Sequence, residues 1–216
     1  MQKFQAWQLE AQAQKPKRRL FIFSFDNILT NGSSTATAMD AYGMGGQLAA
    51  LRNLYNAGRI SGRKLVESVA ESLKGKSARE FDRAASSLRP KQHTIGELVR
   101  LKKMGCHLAV ISFSFERAIS AVLPRKLFDF VIAPKLRTRR GVFTGEVTLP
   151  PYRSAKYPFS KRAAAMGIMK KLGVKPEESL AVGEFRSDRE LYSAVGTAID
   201  IVPSEQSPLS GISSMA

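Results

Sequence analysis

The chain of 216 residues has few cysteines, histidines and acidic side chains, and it has no long apolar run. Cys106 is its one cysteine, which excludes a disulfide within the chain and fits a reducing compartment. His93 and His107 stand apart in the sequence, and structural roles are expected for both. No segment reaches the roughly 18 consecutive apolar residues of a membrane span, and the first residues lack the apolar core of a signal peptide. A cytoplasmic protein without a membrane partner is therefore predicted.

Basic residues are in excess: 34 Lys and Arg stand against 18 Asp and Glu, which gives a formal net charge of +16. Such an excess predicts a polyanionic partner, nucleic acid before membrane. The charge is concentrated in residues 15–19 and 135–140, whereas residues 21–50 contain no Lys or Arg. The predicted phosphate contacts are Lys15, Lys17, Arg18, Arg19, Lys135, Arg137, Arg139 and Arg140. A generally solvated basic surface is the open alternative.

Short apolar runs alternate with helical periodicity along the chain. The runs that predict buried strands are 20–25, 107–112, 130–133, 179–183 and 198–202. Helical periodicity covers 47–88, 94–104 and 160–172, and residues 31–35 are interpreted as a loop. This alternation predicts an α/β fold: a Rossmann-like parallel sheet with helices on both faces, plus a small helical cap. The predicted organisation is a basic arm (1–17), a core (18–46 and 91–203), a cap (47–90) and a flexible tail (204–216).

Polar residues follow the predicted strands, at the edge where an open α/β sheet places its chemistry. The motifs, in chain order, are Phe23-Ser24-Phe25-Asp26, Ile111-Ser112, Lys161 at the start of a helix, and Gly183-Glu184-Phe185-Arg186-Ser187-Asp188. In this order and spacing they resemble the motifs of the haloacid-dehalogenase-like superfamily, specifically its phosphoserine-phosphatase-like branch. The resemblance covers about residues 18–203, and the helical insert and residues 141–145 match the cap and hairpin of that branch.

The resemblance implies a phosphatase site in which one Asp attacks phosphorus and a second, two residues later, acts as acid and base. A magnesium ion would bridge the nucleophile and a motif-four Asp. In this chain Ser24 stands at the nucleophile position, Glu184 replaces the first motif-four Asp, and Phe113 replaces a small glycine. These substitutions predict a pseudophosphatase with no catalytic residue, metal or cofactor. The degenerate motif positions are Ser24, Asp26, Ser112, Lys161, Glu184 and Asp188.

Three functions remain open at this point. The leading prediction is a catalytically inactive RNA-binding protein, ribosomal or ribosome-associated, because no helix-turn-helix, zinc or basic-zipper signature indicates a DNA site. The second is a phosphatase or phosphotransferase with an aberrant active site, which would use Mg²⁺. Ser24 as a serine nucleophile belongs to this second hypothesis. The third is a protein-interaction scaffold whose charge only aids solubility.

Overall fold

A computed structural model describes residues 20–201 and Met215. The strands of the described residues are β1 (Leu20–Phe23), β2 (His107–Ile111), β3 (Phe130–Ile132), β4 (Lys135–Arg139), β5 (Val142–Thr148), β6 (Ser179–Gly183) and β7 (Thr197–Asp200). The α-helices are α1 (Ser34–Ala41), α2 (Gly45–Asn56), α3 (Gly62–Ser72), α4 (Ala78–Ser87), α5 (Thr94–Lys103), α6 (Glu116–Val122), α7 (Lys161–Leu172) and α8 (Phe185–Tyr192). Short 3₁₀ turns cover Arg125–Leu127 and Pro176–Glu178.

The main sheet is parallel and has the strand order β3-β2-β1-β6-β7. The chain first adds β2 and β3 on one side of β1 and then crosses to add β6 and β7 on the other. Such a reversal of strand order opens a crevice at the carboxyl ends of the central strands. The predicted α/β class is confirmed, and the switch lies beside β1, where the motif containing Ser24 and Asp26 begins.

Both faces of the sheet are covered, and the central strand β1 is apolar and buried at every position. Along β1, Phe21 and Phe23 pack with side chains of α5 and α6, such as Leu98 and Ile119. The alternate residues of β1 face the other layer, where α7 and α8 contribute apolar side chains. Full burial of such side chains stabilises a fold by roughly 1.5–3 kcal/mol each, before entropy is counted.

A second apolar cluster lies over the carboxyl edge of the sheet. Helices α1 to α4, which lie between β1 and β2 in the chain, share this cluster with α6 and with the β4–β5 hairpin. Phe81 of α4 meets Phe143 of β5 edge-on, with ring centroids 5.4 Å apart. The division of the chain into arm, core, cap and tail stays a prediction, and the arm and most of the tail lie outside the described residues.

Helix ends follow local capping chemistry. Ser77 and Ser160 accept the N–H groups of Glu80 and Ala163 at 3.4 and 3.2 Å, as side chains at helix starts do. The interpretation of residues 31–35 as a loop is wrong in its second half, because α1 begins at Ser34. Ser33 caps this helix, whose Ser, Thr and Ala residues give little apolar periodicity. Among residues 20–201, no helix is long and apolar enough to span a membrane.

Candidate active site

Three adjacent strands deliver polar residues to one edge of the sheet. Ser24 directly follows β1, Ser112 follows β2 and Glu184 follows β6. The backbone N–H of Ser24 continues the β1–β6 ladder by donating to the carbonyl of Val182 at 2.9 Å. Because β1 lies between β2 and β6, these predicted site residues come together as the parallel topology requires.

Lys161 lies at the centre of this edge. It is the first residue of α7, and its ammonium Nζ lies 2.5 Å from Asp188 Oδ1 and 3.4 Å from Ser24 Oγ. The side chains of Lys161 and Asp188 are 2% and 0% exposed. A buried charge of this kind persists only when it is paired. Lys161 and Asp188 belong to separate sequence motifs, and in the folded protein their side chains form one ion pair.

Asp188 uses both carboxylate oxygens. Its Oδ1 accepts a hydrogen bond from Lys161 Nζ, and its Oδ2 accepts hydrogen bonds from the backbone N–H of Glu184 at 2.9 Å and from the hydroxyl of Ser187 at 3.2 Å. Glu184, which replaces the first motif-four Asp, contributes only its backbone N–H to this arrangement. Among residues 20–201 it forms no ion pair, and it stands half-buried before α8.

Asp26 is held on the other side of Ser24 by three donors. Its Oδ1 accepts the backbone N–H of Ser34 at 3.0 Å, and its Oδ2 accepts the hydroxyls of Ser33 at 3.1 Å and Ser114 at 2.7 Å. These bonds fix the carboxylate between the start of α1 and the loop after β2. These hydrogen bonds orient the Asp26 carboxylate in the wall of a cavity.

That cavity measures about 170 Å³ and lies between the helices and the sheet edge. Its walls are mainly apolar, and its polar groups are those of Asp26, Arg52, Ser114 and two further hydroxyl-bearing residues. The lining residues are Asp26, Thr35, Leu48, Arg52, Tyr55, Gly62, Leu65, Val66, Val69, Phe113, Ser114, Phe115 and Pro158. Burial, followed by the nearby Tyr157, raises the pKa of the Tyr55 phenol, so this group stays neutral near pH 7.

Arg52 is the functional residue that the sequence did not indicate. Its guanidinium donates to Ser33 Oγ at 3.0 Å, and Ser33 in turn donates to Asp26. Residues 21–50 contain no Lys or Arg, and the cations of this site come from other parts of the chain. Arg52 enters from α2 and Lys161 from α7, both outside that segment.

Phe113 separates the buried cation from the cavity. Lys161 Nζ lies 4.3 Å from the centroid of its ring, and the ring stacks on Tyr157 at 5.5 Å. The preceding Ser112 accepts the backbone N–H of Ser114 at 3.1 Å, which shapes the turn that presents Phe113. The Phe113 ring, which stands where the family has a small glycine, thus packs directly against the Lys161 ammonium.

The residues at this edge do not fit a magnesium ion held by carboxylates. Ser24 offers a hydroxyl where the family chemistry needs a charged oxygen, and both oxygens of Asp188 are already bonded within the protein. No group of three or more Asp, Glu, His or Cys side chains suited to a metal gathers within residues 20–201.

The predicted nucleic-acid contacts divide between two regions. Lys135, Arg137, Arg139 and Arg140 are exposed on the β4–β5 hairpin and do not line the cavity. Lys135 is already paired with Glu116, at 3.0 Å. The remaining predicted contacts, Lys15, Lys17, Arg18 and Arg19, lie outside the described residues.

The comparisons with known proteins agree with this geometry. The family model described as haloacid dehalogenase-like hydrolase matches residues 21–193. The chain belongs to this family. It is 25% identical to a phosphoserine phosphatase of Mycobacterium tuberculosis over 84% of its own length, although it spans only 44% of that relative. A phosphoserine phosphatase of Methanocaldococcus jannaschii is 21% identical, with 85% of each chain covered.

Solved structures show the same fold. A substrate-bound phosphoserine phosphatase complex superposes with a TM-score of 0.73 at 22% identity, covering 85% of this chain and 86% of the other. The resemblance to the phosphoserine-phosphatase-like branch of this haloacid dehalogenase-like family is therefore confirmed. The prediction that the chain is not an enzyme is wrong on these comparisons, because its named relatives are phosphatases along most of its length.

Proposed function

We propose that the protein is a phosphatase of phosphate monoesters with an altered active site. The observation that supports this most directly is the buried Lys161 ammonium, 3.4 Å from Ser24 Oγ at the carboxyl end of β1. A fixed cation beside a hydroxyl at this edge suits the binding of a phosphoryl group, whose charge it neutralises without reorganisation. Membership in the haloacid dehalogenase-like hydrolases is consistent with the same reaction class.

Asp26 is the acid–base group of the proposed reaction. It lines the cavity that would hold the leaving group, and its position is fixed by Ser33, Ser34 and Ser114. In its protonated form it gives a proton to the leaving oxygen as the P–O bond breaks. As a carboxylate it then accepts a proton from the water that hydrolyses the phosphoenzyme.

Ser24 is the nucleophile of the proposed first step. Its Oγ bonds to phosphorus while the ester P–O bond breaks, and its proton moves to a nonbridging oxygen of the phosphate dianion. Water then attacks the phosphoserine as its Oγ–P bond breaks, and Asp26 takes a proton from the water. The proton held by the phosphoryl group returns to Ser24 Oγ, and inorganic phosphate leaves. A neutral hydroxyl is a weaker nucleophile than the family's carboxylate, and Phe113 restricts access, so turnover is expected to be slow.

The substrate is proposed to carry an apolar leaving group. Leu48, Val66 and Val69 line the space next to Asp26, and they offer nothing to bind an ammonium or a carboxylate. Phosphoserine is a zwitterion: Arg52 could pair with its carboxylate, but its ammonium would lose water and meet only the Asp26 carboxylate that the reaction itself uses, against walls that are mainly apolar. Aryl and alkyl phosphates avoid this cost, so an aryl phosphate is expected to react at least about tenfold faster in kcat/KM.

The test is a phosphate-release assay with the full chain on p-nitrophenyl phosphate and on phosphoserine. Asp26→Asn is expected to lower kcat by a factor on the order of 100 or more, and Ser24→Ala to abolish turnover. Asp40→Asn, a matched change of an exposed carboxylate in α1, serves as the control and retains the parental rate. A parental protein with no turnover above the uncatalysed reaction contradicts the proposed function, and so does an Asp26→Asn variant that keeps the parental kcat.

A further inference from the structure

The tip of the β4–β5 hairpin is fastened to the connection between α3 and α4. The backbone N–H of Gly75 donates to Phe143 O at 2.9 Å, and the N–H of Phe143 donates back to Lys76 O at 3.0 Å. Beside this pair, Ala78 N–H donates to Gly141 O at 2.9 Å. Two segments distant in the sequence, 74–79 and 137–142, therefore form one continuous edge of the molecule.

This edge collects cations from both segments. The hairpin contributes three arginines, the connection between α3 and α4 adds a lysine, and the first turn of α4 adds an arginine. We name this set the hairpin patch, and all of its side chains are exposed: Lys76, Arg79, Arg137, Arg139 and Arg140. Lys135 is left out because Glu116 pairs with it.

The patch keeps most of its charge free of internal partners. Within residues 20–201, none of its members forms an ion pair, although carboxylates are present nearby. Glu80 follows Arg79 in α4, Glu146 lies farther along β5, and Glu71 is paired with Lys74 at 3.4 Å. The guanidinium of Arg137 donates to the hydroxyl of Thr148 at 3.2 Å, a neutral partner that leaves its charge uncompensated.

The hairpin turn itself projects an arginine. Arg140 and Gly141 adopt φ of 50° and 80°, the left-handed conformation that a type I′ turn requires. Asn or Gly is favoured at the first of these positions, because a side chain with Cβ is strained there. The turn therefore holds an exposed charged side chain at a conformational cost.

We infer that the hairpin patch binds the phosphate backbone of double-stranded RNA. Arginine forks match phosphate oxygens, and several exposed arginines at the end of a short hairpin can contact successive phosphates. A shallow cationic surface of this kind suits the wide minor groove of A-form RNA, which is recognised through shape and phosphates. A two-stranded ribbon can also enter the major groove of DNA, but the tip of this hairpin is fastened to residues 75–78 and does not project as a free ribbon. No patch residue lines the cavity beside Asp26, so this inference does not depend on the proposed phosphatase activity.

The test measures binding of the full chain to a labelled RNA stem-loop by fluorescence anisotropy across a range of KCl concentrations. The triple variant Arg137→Ala, Arg139→Ala, Arg140→Ala is compared with Lys103→Ala, Arg162→Ala, Lys170→Ala. The control removes the same charge from exposed positions on α5 and α7. The patch variant is expected to bind at least about tenfold more weakly at 0.1 M salt and to flatten the log–log salt slope by about two. The control is expected to keep the parental slope within half a unit.

Three outcomes would overturn the inference. The inference is wrong if the parental protein does not bind the stem-loop. It is also wrong if both triple variants lose the same RNA affinity, because the RNA is then attracted by the net charge of the protein and not by the hairpin patch. Equal affinity for a DNA duplex of the same length contradicts the choice of RNA. The patch variant should keep the parental thermal unfolding and phosphate release, which shows that a loss of RNA affinity comes from lost contacts and not from misfolding. Sedimentation of the variants with ribosomal subunits extends the comparison to folded RNA.

Discussion

Lys161 and Asp188 form an ion pair in the interior of the protein, with Nζ 2.5 Å from Oδ1 and side chains that are 2% and 0% exposed. Removing two charges from water is expensive, and the pair survives because Asp188 also accepts the N–H of Glu184 and the hydroxyl of Ser187. The pair anchors the start of α7 to α8 and places the ammonium against Ser24. Its role in stability and its role at the site can be separated by mutation.

Replacing one partner of this pair is expected to lower the free energy of unfolding more than replacing both. Lys161→Met and Asp188→Leu each leave a buried charge without its counterion, and each should lower the free energy of unfolding by about 3–5 kcal/mol. The double variant should lose clearly less than the sum of the two, because no unpaired charge remains. Urea unfolding of the four proteins measures this coupling. Additive losses would mean that the pair does not act as a unit.

The sequence was sufficient for much of the architecture. The apolar runs at 107–112 and 179–183 were long enough to mark strands covered on both faces, and Ser160 and Gly173 marked both ends of α7. Helix α1 was missed, because its Ser, Thr and Ala residues carry weak periodicity and its cap, Ser33, lies in a run typical of loops.

The candidate site was predictable only in part. The motif order identified Ser24, Lys161 and Asp188 as neighbours, although Ser24 and Lys161 are 137 residues apart and no local pattern links them. Arg52 was not predictable, because it lies on a polar surface helix and its approach to Ser33 depends on how α2 packs over α1. The pairing of Lys135 with Glu116 was likewise a tertiary contact without a sequence signal.

Restoring a carboxylate at position 24 is expected to raise phosphatase turnover. Ser24→Asp supplies a charged nucleophile beside Lys161, and an aspartyl phosphate is hydrolysed more readily than a phosphoserine. We expect kcat on p-nitrophenyl phosphate to rise at least about tenfold, and the variant, unlike the parent, to respond to added Mg²⁺ because it gains an oxygen ligand. Ser24→Asn provides the same shape without charge. An equal rise in Ser24→Asn would show that shape, and not the carboxylate, limits the parental rate.

Gly62 sets the distance between α3 and the segment 156–158. Its N–H donates to Lys156 O at 2.8 Å, and a Cβ at this position would lie 2.8 Å from the backbone nitrogen of Pro158. Gly62→Ala is therefore expected to lower the free energy of unfolding by about 1–3 kcal/mol and to raise KM, since Gly62 and Pro158 both line the cavity. Thermal unfolding and steady-state kinetics measure the two effects.

The matched control for this change is Gly46→Ala. Gly46 lies in α2, and a Cβ there would have no neighbour within 4 Å, so helix propensity alone predicts unchanged or slightly higher stability. If Gly62→Ala were as stable as Gly46→Ala with an unchanged KM, then the close approach of α3 to Pro158 would not constrain the cavity.

Asp129 links α5 to the sheet and makes stability depend on pH. Burial by itself would raise the pKa of this carboxyl, but hydrogen bonds from Lys102 Nζ, at 2.8 Å, and from the N–H of Leu108, also at 2.8 Å, lower it below its ordinary value of 3.8. The neighbouring His107, at 3.6 Å, acts in the same direction when it is protonated. A carboxyl whose folded pKa is depressed stabilises the protein fully above the ordinary value, and this contribution is lost as the pH falls through the folded pKa.

Asp129→Asn is therefore expected to lower the free energy of unfolding by about 1 kcal/mol at pH 7, a modest amount because the pair is about one-third exposed. The difference from the parent should shrink below pH 4 as the parental carboxyl is protonated, and urea unfolding between pH 3 and 7 follows it. Glu67→Gln, which removes an exposed i,i+4 partner of Arg63 on α3, should give a smaller difference throughout. A deficit of Asp129→Asn that stayed constant down to pH 3 would mean that the amide disturbs packing, and that the charge of Asp129 contributes nothing.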